Sequence, residues 1–137
     1  MAELFYYQNL LKQYKAQLAQ KQKTREHYLE IAEEIKQIYE RMSEDKSTVK
    51  SYRRFLKTFR NEKYGDFKGT LYKEYKTKMK VLLENYNIVI NNIDTNMDRL
   101  NKEIAKYENK AYECDGVIET LRAAINTVTH TIENWIN

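Results

Sequence analysis

From Tyr72 to Trp135 the chain can be stepped through by alternating intervals of four and three residues, and Lys76 is the one polar residue met on the way. The series runs Tyr72, Lys76, Met79, Leu83, Tyr86, Ile90, Ile93, Met97, Leu100, Ile104, Tyr107, Ala111, Cys114, Ile118, Leu121, Ile125, Val128, Ile132 and Trp135. A heptad seam kept up over about nine repeats excludes a strand, whose period is two, and predicts one long helix packed against another helix. Gly116 falls inside this helix but off the seam. Its cost of about 1 kcal/mol against alanine is one that a helix of this length absorbs.

The first half repeats the alternation through Leu4, Tyr7, Leu11, Tyr14, Leu18, Lys21, Arg25, Tyr28, Ala32, Ile35, Tyr39 and Met42, with two basic interruptions. In SEDKSTVKS, from Ser43 onward, the seam lapses, and apolar spacing returns with Tyr52, Phe55, Leu56 and Phe59. This predicts a helix to about residue 43, a break or kink near 44–50, and a shorter helix to about 63, with Ser43 or Ser47 as its cap.

The stretch KYGDFKGTL, residues 63–71, contains Gly65 and Gly69, two of the three glycines in a chain without proline. Gly65 suits the left-handed conformation that ends a helix, and Asp66 suits the cap of the next. The reading is all-α: an elongated, coiled-coil-like antiparallel helical hairpin forming a single domain over residues 1–137. Arm one spans 2–62, the turn 63–70 and arm two 71–136. A turn centred near 66 places Arg25 near Glu108 and Lys21 near Tyr112.

Apolar residues also flank the seams: Ile31 and Ile38 on the first arm; Leu82, Ile88, Val89, Val117, Ala124 and Ile136 on the second. A stripe this wide belongs to a bundle of more than two helices. It predicts a four-helix arrangement completed by a second copy or by a different protein. Ile31, Ile35, Ile38, Leu82, Val89, Ile93 and Met97 are the expected partner-binding residues. The alternative is a compact monomeric three-helix bundle folded back at 44–50.

Catalytic chemistry is not legible in the sequence. Cys114 is a lone cysteine on the seam, His27 and His130 are far apart, and no phosphate-binding glycine loop or nucleophile with its base occurs. The expectation is a protein that is not an enzyme, with no cofactor, metal or small-molecule substrate. No apolar run has the length of a cleavable signal or of a membrane span, so the expected location is cytosolic, with export by a signal-independent route left open.

Between Lys46 and Lys80 there are 12 Lys and Arg against three acids, whereas the rest of the chain holds 12 basic and 17 acidic residues. Within this basic tip, KSYRRFLKTFR interleaves cations with aromatics. That pattern suits nucleic acid or an anionic membrane as well as a solvated helix face. A structural coiled coil in a larger assembly fits the same residues.

A helical hairpin with an aromatic-x-glycine at its turn, here Phe67-Lys68-Gly69, resembles the WXG-type small proteins of type VII secretion. The opening YYQNLLKQYKAQLAQKQ and the segment FKGTLYKEYKTKMKVLLENYNIVINNIDTNMDRLNKEIAKYE are similar to the YwqH-like, LXG-associated helical proteins of Gram-positive bacteria. The resemblance implies a targeting chaperone that binds the N-terminal helical domain of an LXG-type toxin, with Gly65, Phe67 and Gly69 forming the turn motif. It leaves room for a second small helical partner. The chain departs from the family pattern: Phe67 stands where that superfamily typically has Trp, and none of its tyrosines has an acid four residues on, so the Tyr-x-x-x-Asp/Glu secretion tag is absent. Phe-x-x-x-Asp, a motif of another class of LXG partners, is absent as well.

Overall fold

A computed structural model describes residues 2–61 and 69–136; the side chains of 59–61 lie outside this description. Two helices account for nearly all of it: α1, Ala2–Asn61, and α2, Thr70–Ile136. They pack against each other as an all-α antiparallel hairpin. No strand occurs among the described residues, and none of their helices is long and apolar enough to cross a membrane.

The α1 helix runs without interruption through residues 44–50, so the expected break is absent and the three-helix alternative with it. The segment looked like a linker because serine and threonine compete for backbone groups. Here their hydroxyls donate back to the helix itself, Thr48 Oγ1 to the Glu44 carbonyl at 3.2 Å and Ser51 Oγ to the Ser47 carbonyl at 3.0 Å. With neither glycine nor proline in the stretch, nothing removes a helical hydrogen bond. The seam does not lapse either. It continues through Lys46, Val49, Arg53 and Leu56, all half-buried, at the same four-and-three spacing.

At the start of α2, Gly69 has a φ of +83° and its carbonyl accepts the first helical bond, from the Lys73 N–H at 3.1 Å. The described helix therefore begins at Thr70 behind a glycine. Gly65, Asp66 and Phe67 lie outside the described residues.

The contacts divide the chain into two units. The first combines Met1–Glu34 with Glu103–Asn137. Its buried residues are Ala32 on α1 and Ile104, Ala111, Cys114, Ile118, Leu121 and Val128 spread along the α2 seam. The Tyr28 and Tyr107 rings lie 6.2 Å apart, and the Lys110 ammonium is 5.5 and 5.3 Å from their centroids, a cation–π arrangement at the rim. Arg25 Nε lies 2.5 Å from Asp115 Oδ1. Its N–H is not directed at an acceptor, which makes the contact an ion pair and not an aligned hydrogen bond.

The second unit is Ile35–Lys102. Met79, Leu83, Ile90 and Met97 are buried among its described residues, and Ile35, Tyr39, Met42, Val49 and Leu56 are half-buried on the α1 seam. Lys46 forms an ion pair with Asp94, and Arg53 Nη1 donates to Asn87 Oδ1 at 2.8 Å.

These cross-helix pairs correct the expected register. In each of Arg25 with Asp115, Lys46 with Asp94 and Arg53 with Asn87 the two residue numbers total 140. Arg25 thus meets Asp115 and not Glu108. Lys21 shares a groove with Lys110, Glu113 and Val117, while Tyr112 is exposed.

Candidate interaction surface

Every buried side chain described in α2 belongs to its heptad seam, and among the described side chains of α1 only Ala32, on the seam, is buried. The difference follows from side-chain chemistry. The α2 seam is largely aliphatic, whereas α1 contributes tyrosine, lysine and arginine, whose stems cover apolar surface while their polar ends reach water.

Heptad lettering makes the flanks explicit: Leu4 at a and Tyr7 at d in α1, Leu83 at a and Met79 at d in α2. In an antiparallel pair the e positions of both helices line one flank and the g positions line the other. The first unit displays both flanks. Gln22, Asp115 and Arg122, all at e, line one groove, while Thr24, Lys110 and Val117, all at g, line another.

In the second unit the two flanks have opposite character. The e flank is polar, carrying the Lys46–Asp94 and Arg53–Asn87 contacts together with exposed Lys50, Lys57, Lys73 and Lys80. The g flank is exposed and largely apolar, with Asp45 and Asn96 as its polar positions. Ile38 and Tyr52 stand at g on α1 with Phe55 beside them at c. On α2, Leu82 and Val89 stand at g, while Val81 and Ile88 stand at f on the outer face of the helix, about half of each of the four side chains being open. Tyr52, Phe55, Leu82 and Val89 offer on the order of 400 Å² of apolar surface, within the range of the largest patch on an ordinary monomer.

The expected partner-binding residues divide accordingly. Met97 is buried in the hairpin seam, and Ile35 and Ile93 are half-buried on the same seam, so the hairpin itself uses these three. Ile38, Leu82 and Val89 lie on the open flank of the second unit. Ile31, half-buried, belongs to the first unit. Tyr52, Phe55, Val81 and Ile88 were not among the expected residues. The two on α1 become recognisable once its lettering is carried unbroken through 44–50.

The same lettering separates KSYRRFLKTFR into faces. Lys50 and Lys57 go to the e flank, Tyr52 and Phe55 to the opposite side, Leu56 to the seam, and Arg53 from the seam to Asn87. Lys50 and Lys57 therefore lie on a different flank from Tyr52 and Phe55, with which they alternate in sequence.

Cys114 is a buried thiol on the seam. Among the described residues no three His, Cys, Asp or Glu side chains are gathered so as to hold a metal ion. No family model matches the chain, and neither curated proteins nor solved structures give a match.

Proposed function

We propose that this protein is a non-enzymatic helical partner, a targeting chaperone whose apolar g flank receives helices of the N-terminal domain of an LXG-type toxin before type VII secretion. The observation that carries the binding role is the exposure of Leu82 and Val89 at g beside Tyr52 and Phe55, with Val81 and Ile88 open on the adjoining outer face. Added helices would cover these residues and complete a bundle with more than one seam. The choice of an LXG domain as occupant rests on the sequence resemblance. A second small helical partner is compatible with it.

The runner-up is a nucleic-acid or anionic-surface protein acting through the basic tip between residues 46 and 80. Its supporting observation is the exposed lysine row on the e flank. Against it stands the segregation of Tyr52 and Phe55 onto the other side, which denies a single strand the combination of phosphate contact and base stacking. Co-expression with a candidate LXG domain, followed by co-purification and mass measurement, tests the proposal. A defined heteromeric complex supports it. Absence of a complex, together with tight DNA or RNA binding that weakens steeply with salt, transfers the function to the runner-up.

A further inference from the structure

Toward the turn, successive e positions of α2 in the second unit read Asp94, Asn87, Lys80 and Lys73: anion, neutral acceptor, cation, cation. The α1 side meets them with Lys46, Lys50, Arg53 and Lys57. Lys46 finds Asp94 and Arg53 finds Asn87. Beyond that point the described residues supply no acceptor at these positions. The register sets Lys57 across from Lys80, like charge against like. Among the described residues Lys50, Lys57, Lys73 and Lys80 have no ion-pair partner.

We propose that this lysine flank is a second docking surface, for a helix of another protein that carries carboxylates at heptad spacing. Lys50 and Lys57 on α1, and Lys73 and Lys80 on α2, are each seven residues apart, about 10.5 Å along a helix axis. An adjacent helix with an acid at every seventh position repeats at that same interval and stays in step with the row. Phosphates of a DNA strand wind around the duplex axis, so every third one, at nearly the same rise, points away from the row, whereas the acids of an adjacent helix stay in line with it. A second copy of this chain, laid flank to flank, would bring its own lysines against these. The inference rests on the reading of the protein as a helical partner, but it concerns the opposite flank and adds the chemistry that selects the helix.

Two labelled synthetic helices test it, identical in composition and apolar stripe. One has glutamate at every seventh flank position, the other the same glutamates scattered. Fluorescence anisotropy with the full-length protein at low ionic strength should show the heptad peptide binding about tenfold more tightly, from several weak ion pairs acting together. That advantage should shrink as salt rises and disappear in the Lys57→Gln/Lys80→Gln variant. In the free protein, Lys57→Glu should raise the melting temperature by converting a like-charge pair to an opposite one. Equal affinity for the two peptides overturns the proposal. So does duplex DNA that binds more tightly than the heptad peptide and is released by the same two glutamine substitutions. If an LXG domain fails to co-purify while the peptide ratio holds, the proposed function falls and the lysine flank stands; the reverse pair of results removes the lysine flank alone.

Discussion

Leu82 and Leu83 are adjacent and share residue type and helix, yet they face different surroundings: Leu83 is 5% exposed in the seam and Leu82 is 41% exposed on the g flank. Alanine at either position gains the same small amount of helix propensity, so a comparison isolates packing. Leu83→Ala removes three carbons from the seam, about 2.4 kcal/mol of transfer free energy at roughly 0.8 kcal/mol per methylene. The space left adds to this, but a two-helix seam borders solvent and closes more readily than a deep core. A loss of about 2–3 kcal/mol follows, the lower part of the range for leucine-to-alanine changes. Much of what covers Leu82 is its own helix, and Leu82→Ala should cost about 0.5–1 kcal/mol. At roughly 4 °C per kcal/mol for a chain of this size, the two variants should melt about 8–12 °C and 2–4 °C below the parent. Far-UV circular dichroism against temperature and urea reads both. Equal losses would refute the reasoning, because they would place Leu82 in a core that the seam does not contain.

Four further outcomes follow. Gly116 lies mid-helix with nothing within 4 Å of a built Cβ, so Gly116→Ala should stabilise by about 0.5–1 kcal/mol, read as a higher urea midpoint. Gly69 has equally open space but a φ of +83°, so Gly69→Ala and Gly69→Leu should destabilise alike, by about 1–2 kcal/mol, because backbone strain and not a clash sets the cost. A double-mutant cycle on Lys46 and Asp94 should give a coupling of about 0.2–1 kcal/mol that diminishes with added salt, as expected for a pair still open to solvent. Amide exchange at residues 44–50 should be as slow as in the flanking turns of α1, whereas Ser47→Pro should cost about 3 kcal/mol or more and accelerate exchange there.

The second helix was legible almost residue by residue, because an aliphatic seam such as Ile90, Met97 and Ile104 matches its period without polar interruption. The first was legible only in part. Lys21, Arg25, Lys46 and Arg53 look like defects when polarity alone is scored, yet Arg25, Lys46 and Arg53 reach acceptors on α2 at e positions. The lost register and the supposed break share that cause. Which cation pairs with which acceptor depends on alignment between helices, and local composition does not encode it. Val49 marks the continuing seam through 44–50, but a single valine among serines and charges is too weak a signal to outweigh them. The interaction surface was half legible for the same reason: Leu82 and Val89 follow from the lettering of α2, while Tyr52 and Phe55 require the lettering of α1.

The central claim is that the apolar g flank of the second unit receives the helical domain of a partner. The most direct measurement is native mass spectrometry of an LXG domain co-purified with the parent protein and with the Ile38→Asp/Val89→Asp variant, circular dichroism having established that both are helical. Both substituted residues are exposed in the free protein, so the variant should fold, while unpaired carboxylates buried in the new interface should abolish the complex. The account predicts a defined heteromeric mass with the parent and none with the folded variant. A complex that survives both aspartates contradicts it, as does a variant that unfolds outright, which would make this flank internal core.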